Sequence, residues 1–286
     1  MKIAFLGLGN MGLPMAENLA AAGHDVTGHD PAGVAASFPM ADSGAEAVAG
    51  AEVVVTMLPS GEVLRAVAER IIPAMEPGAI FLDCSTVDVA SAREVAERAR
   101  AAGLRALDAP VSGGIGGAKA GTLTFMVGGD PEAFETARPL FDVMGRKAVH
   151  CGQSGNGQAA KICNNMILGA TMIVTCEAFA LADRLGLDRQ AMFDVVSTSS
   201  GSSWSLTSYC PAPGIGPESP ADNDYRPGFA AELMLKDLRL AAAAAEETGA
   251  ETPIGRAALD LYRTFVEDED GRGRDFSAML PRFAGG

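Results

Sequence analysis

The chain begins with a short apolar run that leads directly into a glycine-rich turn. Residues 3–6 read Ile-Ala-Phe-Leu, which is typical of a buried parallel strand, and residues 7–12 read Gly-Leu-Gly-Asn-Met-Gly, followed by a helical pattern. In this context Gly7 allows a tight turn, Gly9 lets the backbone approach a pyrophosphate, and Gly12 lets helix and strand pack closely. The motif therefore predicts a dinucleotide-binding unit. A plain glycine turn without a ligand is the alternative.

An acidic residue follows at the spacing that such a unit requires. The next predicted strand, residues 25–28, ends at His29-Asp30, and Asp30 lies 18 residues past Gly12. A carboxylate at this point binds the adenosine ribose hydroxyls and repels a 2′-phosphate. No arginine follows it closely, so we expect NAD rather than NADP as the cofactor. The competing interpretation is an exposed aspartate in a turn.

Strand and helix patterns alternate through the first half of the chain. The further predicted strands are 52–57, 79–82, 104–107, 122–127 and 148–150, and the predicted helices between them end near 72, span 89–102 and span 131–143. Repeated units of this length predict an α/β fold, a doubly wound Rossmann-type parallel sheet. In such sheets ligands bind beyond the carboxyl ends of the strands.

After residue 152 the sequence changes to helical patterns alone. These cover 157–185, 188–196, 230–247, 253–268 and 276–282, and a polar stretch at 197–229 is predicted to be a lid or disordered. We therefore expect a dinucleotide-binding Rossmann domain at 1–156 and an all-helical substrate and oligomerisation domain at 157–286.

Composition excludes several classes of function. The net charge of −14 argues against nucleic acid or an anionic membrane as a partner. Five scattered cysteines without a C-x-x-C pair argue against a metal site or disulfides and for a reducing compartment. Met1-Lys2 runs straight into a strand, which leaves no room for a targeting peptide, and the apolar stretch 166–182 contains Glu177 and is interpreted as a buried helix. We expect a soluble, cytoplasmic protein.

Candidate acid–base chemistry centres on the helix that begins near residue 157. Gly157, Lys161 and Asn165 are spaced i, i+4, i+8, so they share one helix face. Glycine would let a flat ligand approach, lysine offers a proton and asparagine an orienting hydrogen bond. Carbonyl–alcohol chemistry at a dinucleotide needs such a proton carrier. A solvated helix lysine is the alternative.

Elimination favours Lys161 over the other candidates. His24 and His29 lie in the first βαβ unit, His150 ends a predicted strand, and no Tyr-x-x-x-Lys pair is present. A lysine in an apolar wall loses hydration, which favours its neutral form and eases proton exchange. Residues 112–114, Ser-Gly-Gly, offer a hydroxyl and successive N–H groups as a carboxylate cradle, with a simple turn as the alternative.

Taken together, these motifs resemble the β-hydroxyacid dehydrogenase family. The resemblance rests on residues 7–12, the segment 108–114 (Asp-Ala-Pro-Val-Ser-Gly-Gly), the 157/161/165 stripe, and Lys236-Asp237-Leu238. It implies a fold like that of 6-phosphogluconate dehydrogenase and a homodimer or homotetramer. Segments at 199–204, 211–214, 223–225 and 229–238 are similar to the branch of the family that acts on 3-hydroxyisobutyrate. That branch implies NAD-dependent oxidation to methylmalonate semialdehyde, a step in valine breakdown.

The resemblance also implies a set of site residues. It makes Lys161 and Asn165 catalytic. The substrate set is Ser112, Gly113, Gly114 and Trp204. The cofactor set is Gly7, Gly9, Asn10, Met11, Gly12, Asp30, Leu58, Pro59, Val63, Thr86, Phe229 and Lys236. Lys236 as a surface helix lysine is the alternative.

Two other functions remain open on the sequence alone. A sister enzyme that reduces tartronate semialdehyde, glyoxylate or succinate semialdehyde would share every catalytic residue. A dinucleotide-binding interaction module without turnover would not need a lysine in the 157/161/165 stripe.

Overall fold

The computed structural model describes residues 1–285, and the chain divides into two compact units, Met1–Lys161 and Ile162–Gly286. The domain boundary after residue 156 stays a prediction. The strands, all in the first unit, are β1 (Lys2–Leu6), β2 (Asp25–His29), β3 (Val53–Thr56), β4 (Ile80–Asp83), β5 (Arg105–Asp108), β6 (Val111–Ser112), β7 (Leu123–Gly129) and β8 (Gly145–Gly152). The helices that lie wholly in this unit are α1 (Gly12–Ala21), α2 (Gly44–Val48), α3 (Gly61–Ile71), α4 (Val89–Ala101), α5 (Gly114–Ala120) and α6 (Pro131–Met144), with a 3-10 turn at Ile72–Ala74. Of these, the sequence patterns did not predict α2, α5 or β6.

The sheet has eight strands in the order β2-β1-β3-β4-β5-β7-β6, with β8 paired to β7. Strands β1 to β5 are parallel, which confirms the Rossmann-type fold. The expectation of an all-parallel sheet was wrong at one end, because β7 runs antiparallel to β5 and β6. Residues 113–122 join β6 to β7, and a parallel crossover needs a connection of a dozen or more residues.

Successive residues of the central strands enter two separate cores. Ile3 and Phe5 belong to one cluster, which also holds α1 side chains, while Ala4 and Leu6 belong to another with α3 and α4 side chains. This alternation follows from the two-residue period of a strand. Helices therefore cover both faces of the sheet, and the carboxyl ends of its strands are left to the connecting loops.

The second unit is helical. It contains most of α7 (Asn156–Arg184), then α8 (Arg189–Val196), α9 (Trp204–Thr207), α10 (Ala231–Thr248), α11 (Pro253–Glu267) and α12 (Met279–Ala284), with 3-10 turns at Pro220–Asn223 and Phe276–Ala278. By length and composition α7 could cross a membrane. Half of its most apolar stretch is nevertheless buried within the protein, as in the core helix of a globular fold.

The stretch 197–229 is folded, so its prediction as a structureless or disordered segment was wrong, and a role as a lid stays a prediction. It contains α9 and a 3-10 turn with a capping box at Ser219 and Asp222. Cys210 and Ala212 are fully buried in the core of the helical unit, and Tyr225 is buried there as well. Small and aromatic side chains thus hold a polar segment that has little regular structure.

Candidate active site

The three glycines of the turn between β1 and α1 have two different roles. Gly7 has a φ of 90°, and a Cβ there would overlap the Met57 carbonyl group. A Cβ on Gly12 would overlap the carbonyl group of Gly7. A Cβ on Gly9 would meet nothing within 4 Å. The fold itself requires the outer glycines, whereas the backbone at the middle one is open, as the approach of a pyrophosphate requires.

The start of α1 suits an anion. Asn10 is exposed, and Met11, the N-cap residue, supplies no side-chain cap to the helix. The first turn carries no acidic residue. The amide dipoles at this helix end therefore face no competing carboxylate from the first turn.

Asp30 lies directly beside this turn, at the end of β2. Its Oδ2 accepts a hydrogen bond from the Leu8 amide at 2.7 Å, and its Oδ1 accepts one from the Ala32 amide at 2.8 Å. Each carboxylate oxygen has a further lone pair, so both remain able to accept from a ribose hydroxyl. The fold therefore fixes the orientation of the carboxylate next to the dinucleotide motif.

A buried hydrogen-bond network links the ends of β3 and β4. Asp83 Oδ1 accepts from Thr56 Oγ1 at 2.7 Å and from Ser85 Oγ at 2.5 Å, and Ser85 Oγ accepts from the Leu58 amide at 2.8 Å. Burial raises the pKa of Asp83 to about 7, against the lowering effect of the hydrogen bonds from Ser85 and Thr56. The network holds the loop that contains Leu58, a predicted cofactor residue.

Gln158, in the first turn of α7, is tied to the loop after β4. Its Nε2 donates to the Ser85 carbonyl at 2.8 Å, and its Oε1 accepts from the Val87 amide at 3.1 Å. Thr86, predicted to line the cofactor, is thus bracketed by two residues that bind α7. The same turn is also held by Asp108, whose carboxylate accepts from the amides of Gly155 at 2.7 Å and Gln158 at 3.0 Å.

Gly157 serves packing, so its interpretation as an approach point for a flat ligand was wrong. A Cβ there would overlap the carbonyl groups of Met126 and Asp108. The space beside it is filled by the backbone of β5 at Asp108 and of β7 at Met126. The glycine is required because the helix begins in contact with the sheet.

Lys161 follows one turn after Gly157 on α7 and is 7% exposed. This burial excludes a fully solvated helix lysine. It fits a side chain that is largely removed from water, and the catalytic role itself stays a prediction.

Asn165 lies one further turn along α7 and is held by partners of the helical unit. Its Nδ2 donates to Asp237 Oδ2 at 2.5 Å, and its Oδ1 accepts from Asn164 Nδ2 at 2.8 Å. Asp237 is 3% exposed, and its Oδ1 lies 3.5 Å from Lys236 Nζ. The amide of Asn165 is therefore fixed in one orientation, and Lys236 is a half-buried, paired lysine rather than a solvated one.

The proposed carboxylate cradle is formed by β6 and the residues after it. Ser112 pairs with Thr124 in the antiparallel ladder, and Gly113 and Gly114 have φ of 136° and 62°. A Cβ on Gly113 would lie 3.1 Å from Leu123. The two positive φ values show why glycine is needed here, and the carboxylate cradle stays a prediction.

The remaining predicted residues lie in varied settings. Pro59 is exposed, and Val63, in the first turn of α3, is 37% exposed. In the helical unit, Trp204 is 51% exposed and stacks on Tyr209, while Phe229 is half-buried and packs edge-on against Phe276.

The sequence patterns did not single out Asp83, Gln158 or Asp237. Each is polar and buried, at 3%, 0% and 3% exposure. Their positions in the sequence were the available signal: Asp83 follows a predicted strand, Gln158 lies between Gly157 and Lys161, and Asp237 follows Lys236. Buried polar residues require partners: Asn165 is the partner of Asp237, whereas Asp83 and Gln158 both bond to Ser85, the neighbour of Thr86.

Comparison with known proteins agrees with this arrangement. A family model described as the NAD binding domain of 6-phosphogluconate dehydrogenase matches residues 2–152. A second model, described as NAD-binding of NADP-dependent 3-hydroxyisobutyrate dehydrogenase, matches residues 155–283. Together they cover nearly the whole chain.

Individual relatives are similar over their full length. The chain is 50% identical to a probable 3-hydroxyisobutyrate dehydrogenase of Mycobacterium tuberculosis, covering 97% of this chain and 96% of that protein. It is 46% identical to an NAD-dependent L-serine dehydrogenase of Pseudomonas aeruginosa, covering 99% and 97%. The solved structure of M. tuberculosis 3-hydroxyisobutyrate dehydrogenase with L-serine matches with a TM-score of 0.94 over 98% of this chain and 97% of that one. The chain therefore belongs to the β-hydroxyacid dehydrogenase family and is an oxidoreductase that uses NAD.

Proposed function

We propose that this enzyme oxidises 3-hydroxyisobutyrate to methylmalonate semialdehyde, a step in valine degradation. The observation that carries the proposal is the burial of Lys161, one helical turn before Asn165, whose amide is held by Asp237. The 50% identity to a probable 3-hydroxyisobutyrate dehydrogenase supports the choice of substrate. A lysine and an amide on one helix face supply a base and a hydrogen-bonding group for an alcohol.

The residues of the first unit would hold NAD. The glycine-rich turn and the start of α1 would receive the pyrophosphate, and Asp30 the adenosine ribose. Leu58, Pro59, Val63 and Thr86 would line the remainder, and the family resemblance adds Phe229 and Lys236 as cofactor residues. When bound, the nicotinamide accepts a hydride from the substrate carbon.

Lys161 would act as the general base. Removal from water penalises an ammonium, so a buried lysine gives up its proton more readily than a solvated one. The neutral amine would take the proton of the substrate hydroxyl while a hydride leaves the carbon that carries this hydroxyl. The C–O single bond then becomes a carbonyl. Two electrons leave with the hydride, and the proton stays on the Lys161 nitrogen.

Substrate orientation would come from two other groups. Ser112, Gly113 and Gly114 would bind the substrate carboxylate through the serine hydroxyl and backbone N–H groups. Asn165 would hold the hydroxyl group, and its fixed amide would lower the entropic cost of aligning that group with Lys161. Trp204 would contact the substrate from the segment that precedes α10.

L-Serine is the second candidate substrate. A relative 46% identical to this chain is named an L-serine dehydrogenase, and a solved relative contains L-serine. Serine and 3-hydroxyisobutyrate share the hydroxymethyl and carboxylate groups and differ at C2, where serine carries an ammonium and the other a methyl. A semialdehyde reductase of the same family would use the same catalytic residues in the opposite direction.

A substrate panel tests these proposals. Both enantiomers of 3-hydroxyisobutyrate, both enantiomers of serine and 3-hydroxypropionate are assayed with NAD and with NADP. Tartronate semialdehyde, glyoxylate and succinate semialdehyde are assayed with NADH. We expect the highest kcat/KM for one enantiomer of 3-hydroxyisobutyrate with NAD. A higher value for serine or for a semialdehyde would contradict the proposal.

We also propose that the enzyme is a homodimer or homotetramer in the cytoplasm. On α7 the exposed side chains of Ile167, Val174 and Leu181 recur every seven residues, which places them on one helix face and supports contact with another copy. The free cysteines fit a reducing compartment. Light scattering of the purified protein tests the oligomer, and a monomer at micromolar concentration would refute it.

A further inference from the structure

Asp275 is a fully buried carboxylate that immediately precedes the 3-10 turn at Phe276–Ala278. Its side chain is 0% exposed. Oδ1 accepts from the Ser277 amide at 2.9 Å and from Ser277 Oγ at 2.7 Å. These two bonds account for one oxygen within the local turn.

The second oxygen binds a distant part of the chain. Oδ2 accepts from Tyr209 Oη at 2.8 Å and from the amides of Gly228 and Phe229 at 3.0 Å each. All three donors belong to the segment 197–229. One carboxylate oxygen therefore fastens this segment at two points that are about twenty residues apart along the chain.

Both fastening points lead to residues with a proposed role. Tyr209 stacks on Trp204 with ring centroids 5.0 Å apart and 23° between the planes. Phe229 has its own amide bound to Asp275 and packs edge-on against Phe276 at 5.5 Å. Tyr209 also contacts Phe276 at 5.4 Å, so the aromatic rings form one cluster around the carboxylate.

The contacts around Tyr209 leave little freedom. A Cβ on Gly228 would lie 2.6 Å from Tyr209 Oη, so a larger residue there would displace the phenol. Trp204 itself is 51% exposed, and its indole stacks on the Tyr209 ring. Because Tyr209 is restrained at its hydroxyl, the stacked indole is restrained as well.

We propose that Asp275 is a positioning residue for the substrate and cofactor contacts, which it controls by holding Tyr209 under Trp204 and by fixing the backbone at Phe229. The proposal rests on the proposed function only for its kinetic consequence. Its structural part, that the Tyr209–Asp275 hydrogen bond sets the position of Trp204, stands independently.

The experiment uses Tyr209→Phe, which removes this hydrogen bond and retains the ring. Tyr262→Phe is the matched control. Tyr262 is a tyrosine of the same unit, fully buried where Tyr209 is half-buried, and its hydroxyl donates to the Phe276 carbonyl at 2.9 Å rather than to Asp275. Trp204 is the only tryptophan, so fluorescence excited selectively in tryptophan reports on it alone.

We expect Tyr209→Phe to increase acrylamide quenching of Trp204 and to shift its emission, while Tyr262→Phe leaves both as in wild type. The KM for the hydroxy acid should rise roughly three- to tenfold in Tyr209→Phe, as expected for the loss of one such restraint, with kcat nearly unchanged. Asp275→Asn, which places an amide NH2 among donors, should change quenching and KM in the same direction.

The possible failures are distinguishable. Equal quenching in Tyr209→Phe and Tyr262→Phe would overturn the positioning role of Asp275, whatever the kinetics. Altered quenching with an unchanged KM would overturn the link to substrate binding. A wild-type enzyme that turns over no substrate of the panel would refute the proposed function, and the fluorescence comparison would still decide the structural part.

Discussion

The anchoring of α7 through Gln158 gives a prediction whose size follows from the contacts. Gln158→Met keeps a side chain of similar length and removes both of its hydrogen bonds, to the Ser85 carbonyl and the Val87 amide. Gln158 is 0% exposed, so water cannot replace them without rearrangement. Each buried group left without a partner costs about 1–3 kcal/mol, so the free energy of unfolding should fall by roughly 2–6 kcal/mol.

The same change should affect catalysis more than cofactor binding. Lys161 lies three residues after Gln158 on the same helix, and Asp108 still holds the Gly155 and Gln158 amides. The helix should remain attached but less well aligned. A displacement on the order of 1 Å costs up to about 10²-fold in rate, so we expect kcat to fall between about tenfold and a hundredfold. Urea unfolding, steady-state kinetics and NAD titration measure the three quantities.

Ser91→Ala provides the control. Ser91 is also fully buried and makes two side-chain hydrogen bonds, to Asp88 and from Arg65, on α4 of the same unit. It should lower stability and leave kcat near wild type. If Gln158→Met lost stability but kept a wild-type kcat, the argument that this side chain aligns Lys161 would be refuted.

Three further predictions concern residues of the first unit. Asp30→Ala should weaken NAD binding and reduce discrimination against NADP, because the carboxylate no longer repels a 2′-phosphate. An unchanged ratio of kcat/KM with NAD to kcat/KM with NADP would contradict the role of Asp30 at the ribose. Gly9→Ala should leave the free energy of unfolding nearly unchanged, since a Cβ there meets no protein atom, but it should weaken NAD binding. Gly157→Ala should instead lower the free energy of unfolding by about 1–3 kcal/mol or more, because its Cβ would overlap Met126. Burial raises the pKa of Asp83 from 3.8 to about 7, so the folded state holds a proton that the unfolded state has lost. The stability contributed by this proton is therefore present below pH 3.8 and disappears as the pH rises to about 7. Asp83→Asn should remove this pH dependence of the free energy of unfolding, as measured by urea unfolding. An unaltered pH dependence would refute the assignment to Asp83.

The sequence was informative wherever one residue type has a single physical use. A strand, three spaced glycines and a helix specify the first βαβ unit, and the two-residue and 3.6-residue periods place most strands and helices. Gly7 and Gly12 are required for the backbone reasons that their spacing suggests. Asp30 also lies beside the turn, as its distance along the chain predicts.

The sequence was less informative where the environment of a residue comes from distant parts of the chain. Gly157 resembles a ligand-approach glycine until Met126 and Asp108 are seen against it. Nothing local indicates that Gln158 bonds to the loop after β4, or that Asp275 binds Tyr209 across 66 residues. The segment 197–229 has a loop composition, yet hydrogen bonds and buried aromatic rings order it.

The most direct test of the account is the kcat of Lys161→Ala, measured together with its affinity for NAD. If Lys161 is the general base, kcat for 3-hydroxyisobutyrate should fall by about 10²-fold or more while the dissociation constant for NAD stays close to that of wild type. A variant that folds, binds NAD and retains a near-wild-type kcat would contradict the assignment of Lys161 as the base.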